Sequence, residues 1–165
     1  MDYKIIKKFL PKKYFISLKE TLHSIHFPWY YRPRMTKDSS GLFFTHSFFT
    51  GNKFNSDYFD LSVLYNELKV SRLDEVRANL TLKYDRPKES GWHTDNEFSD
   101  CLTAIFFLDT CNSTTLLGND KIKIKSKENS ILIFKSSTLH KLITQTDVEK
   151  RIVLNINFFP KNDYF

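Results

Sequence analysis

What this chain lacks removes several classes at once. Its only cysteines, Cys101 and Cys111, are too few for a cross-linked secreted scaffold and read as reduced thiols of a cytosolic protein. No apolar run approaches the ~20 residues that a bilayer span needs, and charge begins at Asp2, so neither a spanning helix nor a secretory signal is expected. Glycine is scarce, at four residues, and neither repeats nor low-complexity tracts interrupt the chain, so one domain over residues 1–165 is expected. Hydrophobic residues at 41% and aromatics at 16%, with 16 Phe, are enough for a packed core.

Charge is the next bound. A net +6 and a pI near 9.2 invite a polyanionic partner, although the lysine-, asparagine- and isoleucine-rich usage also fits an AT-rich genome. Nucleic acid therefore stays an alternative partner, and a membrane is not expected.

Taken in order, the chain predicts a short strand over Lys4–Leu10. A helix follows from Pro11 to about Ser24, with Phe15, Leu18 and Leu22 on its apolar face and with His23 and His26 as surface or loop residues. Phe27–Arg34 crowds aromatics between two prolines and predicts an irregular aromatic plug. Gly41–Phe49 predicts a strand on which Phe44, His46 and Phe48 share a face, with His46 a core histidine. A second helix is expected from Asn55 or Ser56 to about Val70.

The remainder reads as β-structure. Leu73–Tyr84 alternates, placing Arg77, Asn79, Thr81 and Lys83 on one face. Cys101–Leu108 is a strand with Thr103, Ile105 and Phe107 together. Asn112–Thr115 and Lys121–Lys125 predict a hairpin with a lysine-rich solvent face, and Ser130–Lys135 and Arg151–Phe159 are buried strands. Many short strands, two early helices and no βα alternation predict a mainly β fold with flanking α: a double-stranded β-helix, or cupin-like jelly roll, with the helices on one face.

Chemistry concentrates at Gly91-Trp92-His93-Thr94-Asp95. His93 and Asp95 lie two apart after a strand-like run, so alternation points both the same way. His140 follows Ile131–Phe134 by a short polar loop and can return across a sheet to meet them. Two imidazoles and one carboxylate are the ligand set of non-haem Fe(II) oxygenases, which leaves coordination positions open. Eleven residues after His140, Arg151 opens a buried strand, where a fixed guanidinium fork suits a carboxylate partner.

The ordered set His93-x-Asp95, His140 and Arg151 resembles the Fe(II)/2-oxoglutarate-dependent dioxygenases over about residues 70–160, with a look of the small phage-encoded members and of the prolyl-hydroxylase-like branch. The resemblance implies that His93, Asp95 and His140 hold Fe(II) as the catalytic set, and that Arg151 pairs with the distal carboxylate of 2-oxoglutarate, with O₂ as the oxidant. Asn79 matches the Asn of an Asn-x-Tyr element that contacts the cosubstrate in AlkB-type relatives, while Thr81 stands where the Tyr would be. Phe107 stands where prolyl-hydroxylase-like members often carry Tyr, which leaves Thr103 to assist Arg151. Asn157 stands where AlkB-type enzymes carry a further arginine, six residues after the cosubstrate arginine. The expected activity is hydroxylation of a protein or peptide side chain or of a small molecule. A nucleic-acid oxidative demethylase and a catalytically silent metal-binding jelly roll are the alternatives.

Overall fold

The computed structural model describes residues 2–36, 43–119, 122–162 and 164–165. Its elements in order are β1 (Tyr3–Lys7), α1 (Lys12–His23), β2 (Tyr30–Arg32), β3 (Phe43–Thr50), β4 (Lys53–Phe54), α2 (Ser62–Glu67), β5 (Val70–Leu82), β6 (Leu102–Phe107), β7 (Thr114–Leu117), β8 (Ile122–Lys125), β9 (Ser130–Lys135), β10 (His140–Ile143) and β11 (Lys150–Pro160).

Continuous apolar runs become the middle of a large antiparallel sheet, because a strand covered on both faces has no solvent side to furnish with polar residues. All six residues of β6 are buried, as are all of β9 but Lys135. The sheet runs β1-β9-β6-β11-β5-β3-β2, with β4 paired to β3, and a smaller sheet, β10-β7-β8, faces it. The expected jelly roll with helices on one face is the fold observed.

Each face of the large sheet has its own cover. The outward side chains Leu102, Ala104 and Phe106 of β6, Ile131 and Ile133 of β9, and Ile152, Leu154, Ile156 and Phe158 of β11 pack with Phe15, Leu18 and Leu22 of α1 and Leu64 of α2. The inward Ile105, Phe107, Leu132, Phe134 and Val153 meet Leu117 and Ile124 of the small sheet. This second cluster fills only part of the space between the sheets. Toward β5 the inward row turns polar, and there the site forms.

Local differences from the sequence expectations have identifiable causes. The second helix is short, because Ser56 Oγ is taken by His46 Nε2 at 2.6 Å and Asp60 Oδ1 by the Ser62 amide at 2.9 Å, holding the approach as turns until Leu61. It ends where Lys69 enters the left-handed region at φ 49°. The aromatic segment is less irregular than expected, with Tyr30–Arg32 pairing to β3 as an edge strand. The Gly51-Asn52 turn between β3 and β4, both residues at φ near 60°, is a type I′ hairpin signal that went unread in the sequence. Gly41, Leu42 and Lys121 lie outside the described residues.

His46 is a core histidine as expected, its Nδ1 donating to the Pro28 carbonyl at 2.8 Å, and burial pushes its pKa down. His26 is exposed, whereas His23 is not the free surface residue expected: its Nε2 lies 3.0 Å from Asp109 Oδ1. Asp109 ties α1 to β11, its Oδ2 accepting the Ile152 amide at 2.8 Å and its Oδ1 facing Lys19 at 3.4 Å. Burial alone would raise the Asp109 pKa, but His23, the Ile152 amide and Lys19 outweigh it and hold the carboxyl below its usual 3.8. A depressed folded-state pKa stabilises above the unfolded value, and that stabilisation is lost as pH falls through the folded value. Urea unfolding across pH should therefore show Asp109→Asn destabilised by about 1–3 kcal/mol near neutrality and less sensitive than the parent to acid below pH 4.

Candidate metal centre and cavity

The site is assembled by backbone pairing. Residues 89–93 run antiparallel to β10, with bridges Glu89 to Ile143 and His93 to His140. The two histidines exchange backbone hydrogen bonds of 3.1 and 2.9 Å, and the Asp95 amide donates to the Ser136 carbonyl at 3.0 Å. Register thus fixes where all three side chains start.

The side chains converge. Ligand atoms of His93, Asp95 and His140 all lie within 4.8 Å of one another. Asp95 Oδ1 stands 3.8 Å from His93 Nε2 and 3.6 Å from His140 Nε2. One ion with ligand bonds of roughly 2 Å can bridge such separations.

The surrounding hydrogen bonds leave the correct lone pairs free. His93 Nδ1 lies 3.1 Å from the Gly91 carbonyl and His140 Nδ1 lies 3.0 Å from the Thr138 carbonyl. A carbonyl only accepts, so each Nδ1 carries the proton and each Nε2 faces the centre unprotonated. Burial pushes the His140 pKa down, opposed by Asp95 and aided by His93, which favours the neutral imidazole that a metal requires. The donor chemistry fits a divalent transition metal, with His93 half-exposed at the mouth and His140 buried.

Asp95 is oriented from behind. Thr103 Oγ1 donates to Asp95 Oδ2 at 2.7 Å and lies 3.0 Å from both Ser136 Oγ and Asn157 Oδ1. One hydroxyl has one proton, so Ser136 and the Asn157 amide serve it as donors, the amide turned to present its NH₂. The structure thus places Thr103 behind the metal-facing carboxylate rather than beside Arg151. Sequence reasoning missed Ser136 and Asn157 in this role, because their neighbours come from three separate segments.

A cavity of about 240 Å³ extends from the triad between the sheets. At its inner end, Arg151 is 3% exposed and pairs in register with Thr81. Among the described residues no carboxylate lies within ion-pair distance of Arg151, and its buried Nε lacks a hydrogen-bond partner. Burial pushes its pKa down to about 10, with Cys111 and Asp109 opposing. The Phe107 ring lies 5.8 Å from the guanidinium carbon. Thr81 is already engaged, its hydroxyl donating to Gln145 Oε1 at 3.0 Å. Asn79 lines the same wall with a buried, unpartnered Oδ1.

Compared by sequence, the chain matches no family model and no curated protein. Compared by structure, it is similar to a 2OG-Fe(II) oxygenase family oxidoreductase from Burkholderia pseudomallei, at TM-score 0.71 and 8% identity over 97% of this chain and 86% of that one. It is also similar to a Trichoplax adhaerens prolyl hydroxylase in complex with a hypoxia inducible factor peptide fragment, at TM-score 0.70 and 14% identity over 96% and 84%. A Pseudomonas putida prolyl-4-hydroxylase aligns at TM-score 0.62 and 12% identity over 97% and 93%. The chain has the fold of the 2-oxoglutarate/Fe(II) oxygenases. No helix among the described residues is long and apolar enough to cross a membrane.

Second-layer hydrogen bonding of this kind typically carries ten- to a hundredfold in metal affinity. Thr103→Val should therefore weaken manganese(II) binding by about that factor with little loss of fold, as measured by competition with a chromogenic chelator, whereas Asp95→Ala should abolish binding.

Proposed function

We propose that this protein is an Fe(II)- and 2-oxoglutarate-dependent dioxygenase that hydroxylates a C–H bond of a protein, peptide or small-molecule substrate. One observation carries the reading. A two-His, one-carboxylate donor set faces, across a single cavity, a buried arginine that has no anion among the described residues.

Both halves of the site fit the groups they would hold. His93, His140 and Asp95 would hold iron through Nε2, Nε2 and Oδ1, the atoms that the hydrogen bonds of Gly91, Thr138 and Thr103 leave free. Arg151 would take the distal carboxylate of 2-oxoglutarate, and the unpartnered Asn79 amide is placed to contact the same molecule. Bound there, iron with 2-oxoglutarate and O₂ supplies oxidation of an unactivated C–H bond, the cosubstrate leaving as succinate and CO₂. The chain itself orients and excludes water. Ile105, Val153 and Leu142 line the cavity, so the Arg151 fork works in an apolar setting that strengthens a charge-assisted pair. No side chain need act as acid or base.

A peptide substrate is supported by the likeness to the Trichoplax prolyl hydroxylase, which is seen with a peptide fragment. The nucleic-acid alternative is disfavoured at the site: Asn157 stands where AlkB-type enzymes carry a further arginine, and it is engaged with Thr103.

Anaerobic addition of Fe(II) and 2-oxoglutarate should produce a visible charge-transfer band that His93→Ala and His140→Ala abolish, and with O₂ the parent should release succinate slowly without a second substrate. Arg151→Met should leave metal binding intact while costing 2-oxoglutarate roughly 2–5 kcal/mol, about thirtyfold to several thousandfold in affinity by calorimetry. Unchanged 2-oxoglutarate affinity in that variant would remove the cosubstrate assignment and leave the metal centre standing.

A further inference from the structure

Arg77 and Lys141 are the charged groups lining this cavity that the proposed chemistry leaves unused, and Lys141 is taken by Glu89. Arg77 belongs to the inward row of β5, with Asn79 and Thr81, and pairs in register with Asn155 of β11. Both side chains line the cavity, and both carry a buried polar atom with no partner: Arg77 Nε and Asn155 Oδ1. Two unsatisfied polar groups facing each other on one rung are costly in an interior unless a ligand completes them.

Cosubstrate length argues that Arg77 is not a second clamp on the distal carboxylate. Four C–C bonds of roughly 1.5 Å give 2-oxoglutarate a reach of about 5–6 Å. Arg151 and Asn155 are separated by four residues of extended strand, roughly 13 Å. The Arg77–Asn155 rung is thus well removed from Arg151 and adjoins the Asn157–Thr103 rung that holds Asp95, which places it at the metal end of the cavity.

The local charge selects the ligand class. Arg77 Nη2 is 3.2 Å from Glu75 Oε2, which neutralises part of its charge but occupies only one edge of the guanidinium. Its side chain remains 36% exposed, open to the cavity while Nε is enclosed. A single guanidinium already offset by Glu75 on one edge does not suit a dianionic phosphate. It suits a monoanionic carboxylate, which the fork can bind through two parallel hydrogen bonds while the Asn155 amide turns its NH₂ to the same oxygen.

We propose that Arg77, with Asn155, is a substrate-recognition site for a carboxylate, so that the molecule hydroxylated carries a carboxylate close to the reacting C–H bond. This rests on the dioxygenase reading for what happens next, though not for the binding itself. The carboxylate has two sources, an α-carboxylate of a free acid or peptide end, and an acidic side chain within a peptide.

The test uses Nα-acetyl amino acids as free acids and as carboxamides, titrated by calorimetry into the manganese-loaded protein with and without 2-oxoglutarate. Nα-acetyl-aspartamide and Nα-acetyl-glutamamide, which keep only a side-chain carboxylate, separate the two sources. At least one acid should bind about ten- to a hundredfold more tightly than its neutral counterpart. Arg77→Gln should erase that preference while leaving 2-oxoglutarate affinity within about threefold, and Arg77→Lys should restore part of it. A panel with no acid preferred, or a preference surviving in Arg77→Gln, overturns the proposal. So does a loss of 2-oxoglutarate affinity in Arg77→Gln as large as in Arg151→Met, which would assign Arg77 to the cosubstrate. If the parent does not bind 2-oxoglutarate at all, the dioxygenase reading falls, and the acid preference measured without it still decides the Arg77 site.

Discussion

The exchange of two backbone hydrogen bonds between His93 and His140 is the constraint on which the functional site depends. It joins a loop of few regular elements to the edge of the small sheet, and it brings the imidazole ring centres to 4.2 Å at a tilt of 49°. A slip of one residue at this bridge would turn one imidazole to the opposite face, since the side-chain period of extended chain is two. Asp95 is fixed by the same pairing, through Ser136, and by Thr103 from the large sheet. The centre thus spans both sheets, so the metal donors and the closure of the roll are one structural fact.

That geometry explains what the sequence could disclose and what it could not. Strands β6, β9 and β11 were legible because they are buried on both faces, and an apolar run bounded by polar turns has few other uses. The His93, Asp95 and His140 grouping was legible because order and spacing survive in the linear chain. The partners of Thr103 were not: Asp95, Ser136 and Asn157 come from a loop, a turn and another strand, and only pairing in space brings them to one hydroxyl. The short second helix escaped for a related reason. Ser56 has the composition of a helix cap, but a histidine ten residues earlier claims its hydroxyl.

Electrostatics separates the surface from the site. The net charge of +6 invites a polyanion, yet half-buried Glu75 beside the site feels both Asp95 and Asp74, with Arg77 and Arg32 opposing them. Lys141 shows how the basic residues are spent instead, reaching Glu89 and lying 5.0 Å over the Trp92 ring at the rim. Overall charge speaks to encounter and solubility, while the side chains that line the cavity govern which ligand stays.

Arg151 poses the sharpest energetic question in the fold. Removing a cation from water costs several kcal/mol after relaxation, and here the return is small: a ring contact with Phe107 and distant help from Asp109 and the Cys111 thiol. A fold selected for stability alone would place an apolar side chain there, among Val153, Ile105 and Phe107. The cost is recovered only when an anion enters the cavity, because a ligand that binds the folded state alone adds RT ln(1 + [L]/Kd) to stability. The same desolvation that makes the empty site expensive makes the filled pair strong, since the water that would compete for the guanidinium has already been removed. Stability of the folded chain and affinity for any anion that pairs with Arg151 are therefore set by one buried group, and neither can be tuned at position 151 without moving the other.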